Sequence, residues 1–204
     1  FPLADNKTRF AKPGLIEKFS QEVKPINHKL ITEEVSKSYY EEKDTSGHPY
    51  EQSTVPNRQK SGAYSWIKAP RYRDKPFEGG PLARLWINGI YQRGISVNDR
   101  NIARALELRE IIKGMYSWLE DLNVSQSALK RYEPILNTQG TGVIDTMRGV
   151  LGHWVKIKDG RTVHYQIITP SAWNFSPRDS KNRRGPVEEA LIGTPVENLN
   201  SLIE

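Results

Sequence analysis

The chain of 204 residues contains no cysteine. It therefore forms no disulfide, offers no thiolate to zinc or to an iron–sulfur cluster, and has no cysteine nucleophile of its own. Long apolar runs are also missing. None approaches the roughly 18–20 residues that a membrane-spanning helix requires, and the mean hydropathy is −0.67. Phe1-Pro2-Leu3-Ala4-Asp5 shows no basic stretch leading into an apolar one, so no secretory signal is visible. No methionine stands first, which raises the expectation of processing or of a start within a longer polypeptide. The four histidines, His28, His48, His153 and His164, lack metal-ligand spacing, and no HExxH, glycine-rich phosphate loop or GxSxG elbow occurs.

Charge is plentiful but mixed. Lys and Arg number 30 against 24 Asp and Glu, a net charge of +6. A basic balance is compatible with nucleic-acid binding. The densest basic patch, Lys181-Asn182-Arg183-Arg184, is however short and lies among Gly, Pro and Ser. That pattern reads as a solvated loop, and no nucleic-acid partner is expected.

Residues 1–65 scatter their apolar side chains among Pro, Gly, Lys and Glu, and cannot bury enough surface to fold alone. Ile31–Val35 reads as a helical turn or a strand. Tyr64–Tyr72 is aromatic and basic, and Pro70 excludes a helix interior there. Residues 97–120 carry the clearest helix. Ser96 or Asn98 can cap it, and Ile102, Leu106, Leu108, Ile111, Ile112, Met115 and Leu119 form a broad apolar face opposite Arg100, Arg104, Glu107 and Glu110. So wide a face predicts a largely buried helix. A shorter helix is expected from Ser125 to before Pro134, and one of about two turns over Val187–Ile192. Asp159-Gly160 supplies the positive φ angles of a hairpin turn between Trp154–Lys158 and Thr162–Ile168. The pattern predicts an α+β fold, predominantly helical, with one small β-hairpin and long packed loops. It divides into a wrapping segment (1–96), helices (97–133) and a hairpin with loops (134–204), with no independent domain.

Three groups of residues, in order, resemble one known family. They are Tyr64–Tyr72 with Gly80-Pro81-Leu82-Ala83-Arg84, then Arg148-Gly149-Val150-Leu151-Gly152-His153-Trp154, then Tyr165-Gln166 through Pro170 and Trp173-Asn174 to Ser176-Pro177-Arg178-Asp179. Together they are similar to the C-terminal half of the large subunit of a nickel–iron hydrogenase. The resemblance implies that fold, and chemistry that interconverts dihydrogen with two protons and two electrons. It implies a nickel–iron centre with cyanide and carbonyl on the iron, held by thiolates of two CxxC pairs, and an iron–sulfur small subunit that carries the electrons. This sequence departs from the pattern, since neither CxxC is present. The resemblance places one upstream of Phe1 and the other shortly beyond Glu204. Soft sulfur donors suit nickel and low-spin iron, so this chain alone cannot hold such a centre. The partners implied are the cysteine-bearing pieces of the large subunit, the small subunit and H2.

The resemblance also marks site residues. Arg148 would project over the open face of the metals, in a pocket with Met147, which stands where the family usually has proline. A guanidinium is a poor base, with a pKa above about 12. Its part stays open between receiving the proton and orienting H2 while stabilising developing charge. Thr169, Pro170 and Ser171 would line the diatomic ligands, the Ser171 hydroxyl donating to a cyanide nitrogen. The main-chain oxygen of Ile167 would bind a magnesium ion, with Gln166, Lys68 and Glu33 binding its waters. His153 and Trp154 read as packing and hydrogen-bonding residues. The competing reading is a cysteine-less, non-catalytic relative that serves as a binding or assembly module. No location follows from the sequence, which leaves membrane-associated and cytoplasmic sites equally open. In this family, export would accompany the small subunit.

Overall fold

The structure is a computed structural model that describes residues 11–195 apart from 18–19, 42–45, 126, 128, 130 and 131. A 3₁₀ turn at His28–Leu30 leads into strand β1 (Ile31–Glu34), followed by the short β2 (Ser46–Gly47) and β3 (Ala69–Tyr72). These form one antiparallel sheet in the order β2-β1-β3. Ile31 faces Tyr72 and Glu34 faces Ala69. Pro70, which has no N–H to donate, is tolerated because β3 is an edge strand.

Helix α1 (Pro81–Ile87) begins with its proline at the first turn, where the missing N–H costs nothing. Helix α2 (Val97–Glu120) starts at a capping box. The Ser96 hydroxyl accepts from the Asp99 N–H, and the Asp99 carboxylate accepts from the Ser96 N–H. A second antiparallel sheet follows as a meander of β4 (Thr138–Thr146), β5 (Gly149–Lys158) and β6 (Arg161–Ile168). Its second turn is the one expected: Asp159 has φ 51° and Gly160 φ 71°, the backbone of a type I′ hairpin. Helices α3 (Pro170–Asn174) and α4 (Pro186–Leu191) complete the described chain.

The expectation of a predominantly helical fold is wrong. Among the described residues helix and strand occur in about equal amounts, in four helices and two small antiparallel sheets. The meander has three strands where one hairpin was expected, because β4 was not recognised. Its glycines, Gly140 and Gly142, weaken the strand signal. Of the helix expected from Ser125, four positions lie outside the described residues, and the remainder are not helical.

Two apolar clusters organise the molecule. Ile31, Tyr72, Trp154, Ile168 and Trp173 join the two sheets and α3. Leu82, Leu85, Tyr91 and Ala103 join α1 to the first turns of α2. The remainder of α2 is not buried as expected: only Ala103 and Glu107 are, and most of the apolar face lies open to solvent.

Candidate functional site

Met147 and Arg148 form the two-residue turn between β4 and β5, with Thr146 opposite Gly149. Three separate stretches of sequence hold this turn. From below, Arg84 of α1 donates to the carbonyl oxygens of Thr146 (2.8 Å) and Met147 (3.1 Å). From the side, the Asn174 amide at the end of α3 donates to the Arg148 carbonyl (3.1 Å) and the Gly79 carbonyl (3.1 Å) and accepts from the Gly79 N–H (2.9 Å). The chain at Gly79-Gly80 lies flat against the turn. A Cβ on Gly149, whose φ is 130°, would come 2.9 Å from the Gly79 carbonyl carbon. No larger residue fits that approach.

Arg84 is itself fixed. Its Nε and Nη2 donate to the two carboxylate oxygens of Glu107 at 2.6 and 2.8 Å, and its Nη1 donates to Asp145 at 2.7 Å. Burial works against the Arg84 cation, but the carboxylates of Glu107 and Asp145 outweigh it and hold the guanidinium above its ordinary pKa. The bidentate geometry is one that only arginine supplies.

The Arg148 side chain is exposed. Its Nη1 lies 3.3 Å from the Met147 sulfur, and among the described residues no carboxylate pairs with it. Thr169 caps α3 by accepting from the Ala172 N–H (3.3 Å), and Pro170 is the first helical residue. The Ser171 hydroxyl makes no hydrogen bond among the described residues. Asn174, on the same short helix, ties this cap region to the Arg148 turn.

A second cluster lies between the sheets. The buried Glu33 accepts from the Gln166 amide. Gln166 in turn accepts from Thr54 (3.4 Å), and Lys68 donates to Thr54 (2.9 Å) and to the Ser53 carbonyl (3.2 Å). Burial pushes the Glu33 carboxyl above its ordinary value, against the opposing influence of Lys68 and Gln166. Burial also pulls the Lys68 ammonium down, against the charge of Glu33. Gln166, Lys68 and Glu33 are thus brought together. Ile167, next along β6, turns its side chain to the exposed face of the sheet opposite His153. His153 bonds the Tyr165 hydroxyl through Nδ1 (2.7 Å), and Trp154 is buried in the core.

Nickel and iron do not find their donors here. The chain has no cysteine, and among the described residues no three of His, Asp and Glu gather as metal ligands. For a magnesium-type ion, the Glu33 carboxylate and the Ile167 carbonyl are hard oxygen donors. They do not make a complete ligand set, so this chain fits the surroundings of a metal site better than the site itself.

Sequence reasoning gave no part to Arg84, Glu107 or Asn174. Arg84 and Asn174 stand in motifs it recognised, but no spacing links positions 84, 107 and 174. Nor was Arg71 given a part. Arg71 is fully buried and donates to Asp179 (3.0 Å), Ser176 (3.1 Å) and the Pro177 carbonyl (3.1 Å). That network locks the Tyr64–Tyr72 stretch to the segment Ser176–Asp179.

The fold is that of hydrogenases whose structures are known. It superposes on the Ni-Fe-Se hydrogenase of D. vulgaris Hildenborough in its reduced state with a TM-score of 0.89 at 34% identity, covering 98% of this chain and 46% of that one. It also matches an anaerobically purified [NiFeSe]-hydrogenase of Dm. baculatum with a TM-score of 0.86 at 34% identity, covering 94% of this chain and 44% of that one. In sequence it is 33% identical to the periplasmic [NiFeSe] hydrogenase large subunit of Desulfomicrobium baculatum, over 97% of this chain and 43% of that protein. It is 31% identical to the quinone-reactive Ni/Fe-hydrogenase large chain of Wolinella succinogenes, over 89% of this chain and 40% of that protein. The model of the nickel-dependent hydrogenase family matches residues 2–97 and 90–204, and the chain belongs to that family. It spans less than half the length of these relatives.

Proposed function

We propose that this chain is the C-terminal portion of a divided or processed nickel–iron hydrogenase large subunit, active only with companion chains that carry the cysteine pairs. One observation carries the reading. The turn bearing Arg148 is clamped by Gly79-Gly80, Arg84 and Asn174, while its guanidinium is left without a carboxylate among the described residues. Family membership supports the same reading.

In this reading Arg148 directs positive charge toward bound dihydrogen in a pocket shared with Met147, where a fixed cation stabilises developing charge strongly once water is excluded. The Ser171 hydroxyl donates to a diatomic ligand, and Thr169 and Pro170 shape the wall beside it. The Ile167 carbonyl would be the main-chain ligand of a magnesium ion, with Gln166, Lys68 and Glu33 placed to hydrogen-bond water around it. A nickel–iron centre carrying cyanide and carbonyl, bound through companion thiolates, would supply the redox chemistry beside Arg148. An iron–sulfur small subunit takes the electrons. The described residues of the segment 1–96 wrap the body formed by 97–133 and 134–204 together with the rest of the large subunit.

The test is Arg148→Met in the nickel-containing assembly, read as isotope exchange between D2 and water. The exchange rate should fall by about 10²-fold with nickel content unchanged, the scale of losing one positioned electrostatic contact. Full retention of exchange would sink the assignment. A second reading, a non-catalytic binding or assembly module, rests on the missing cysteines. It predicts a stable complex with partners that holds no nickel.

A further inference from the structure

Helix α2 turns the wrong side to solvent. Its buried side chains are Ala103 and Glu107, which meet α1 and Arg84. Leu108, Ile112, Met115 and Leu119, with Leu122 just past the helix end, are 59%, 46%, 49%, 66% and 63% exposed on the opposite side. Helix α1 has seven residues against the 24 of α2. At 1.5 Å per residue it reaches along about 10 Å of a helix about 36 Å long, so it cannot cover this stripe.

The spacing of the stripe is 4, 3, 4 and 3 residues. That is a seven-residue repeat, the pattern that seats side chains between those of another helix at a shallow crossing angle. The flanking positions say what kind of packing. Ile111 and Trp118 border one side of the stripe, and Arg109 and Tyr116 the other. A seam between two identical solvated helices carries charge at those positions. Mostly apolar flanks instead suit a helix enclosed by neighbours in a bundle. The superposition with 46% of the D. vulgaris chain covers 98% of this one, which leaves no room to omit a helix of 24 residues. The matched chain is more than twice as long, so it has a further portion from which cover for this helix can come.

We infer that the Leu108–Leu122 stripe is the docking surface for a helix of the cysteine-bearing companion portion of the large subunit, an inference that rests on the reading of this chain as part of a divided subunit. Docking buries the stripe: α2 engages the companion through its distal half while its first turns stay on α1.

The chain has no cysteine, so single thiols report cleanly. Ile112→Cys and Leu119→Cys are made separately, with Lys113→Cys as the control on the polar side. Alkylation rates are compared in the isolated chain and in the native assembly, whose composition is read by mass. Thiols at 112 and 119 should react about tenfold or more slowly in the assembly, and the thiol at 113 at an unchanged rate. If the companion is present by mass and the rates at 112 and 119 do not fall, the docking surface is refuted while the divided-subunit reading survives. If no companion is found, both fail. Slowed alkylation in the isolated chain, with a dimer mass at the same concentrations, would assign the stripe to a second copy and overturn the inference.

Discussion

Replacing Arg84 by methionine removes the hub of the Arg148 turn at nearly constant length. Arg84 makes five hydrogen bonds, two to Glu107, one to Asp145 and two to the carbonyls of Thr146 and Met147. Asp145 and the turn carbonyls lie near solvent and can exchange Arg84 for water. Glu107 cannot, because it is 6% exposed and faces α1. Stranding one member of a buried ion pair costs about 3–5 kcal/mol. That corresponds to local opening about 2 × 10² to 5 × 10³ times more often. Amide hydrogen exchange across residues 144–150, followed in the assembly, reads this directly. Removing Glu107 as well should restore most of the loss, since Arg84→Met with Glu107→Leu leaves no buried charge behind. Exchange within twofold of the parent in Arg84→Met, or a double variant whose loss equals the sum of the two single ones, would refute the clamp.

Other consequences follow from the same geometry. Gly149→Ala places a Cβ 2.9 Å from the Gly79 carbonyl carbon at a φ of 130°, and should cost about 1–3 kcal/mol in urea unfolding. Burial tends to raise the Asp179 carboxyl, but hydrogen bonds from Arg183 and Arg71 outweigh it and hold the group below its ordinary value. Its stabilisation is therefore present above the ordinary Asp value and lost as pH falls through the lower folded value. Asp179→Asn should flatten that acid limb in pH-dependent unfolding, while costing about 3–5 kcal/mol at neutral pH because Arg71 is left buried. Glu33 has the opposite sign. Its folded value is raised, so stability falls as pH rises from the ordinary Glu value through the folded one. Glu33→Gln should remove that decline, and an unchanged pH profile would contradict the assignment.

Local chemistry was readable in the sequence. Asp159-Gly160 announced the β5–β6 turn, and Ser96, one of the two cap candidates, the start of α2, because each depends on a few adjacent residues. Non-local pairing was not. Strand β3 pairs with β1 across a long stretch of chain, and nothing at Ala69–Tyr72 names Ile31–Glu34 as its partner. The faces of α2 were read with the wrong exposure for a related reason. Periodicity located the apolar side correctly, but it reports that a face needs cover, not that this chain provides it. Glu107, placed on the polar side, is buried because Arg84 reaches it from another helix. The candidate site was legible only through family motifs. Arg148 could be marked, whereas the convergence of Gly79-Gly80, Arg84 and Asn174 on its turn is a property of the tertiary fold.

The central claim is that this chain works as part of a metal-bearing large subunit whose thiolates come from elsewhere. Native mass spectrometry of the intact assembly, with nickel and iron measured on the same sample, tests it most directly. The account predicts this chain bound to a cysteine-bearing companion with about one nickel per complex. A chain recovered without companion and without nickel would contradict it, and the hydrogenase motifs would then be an inherited scaffold around Arg148.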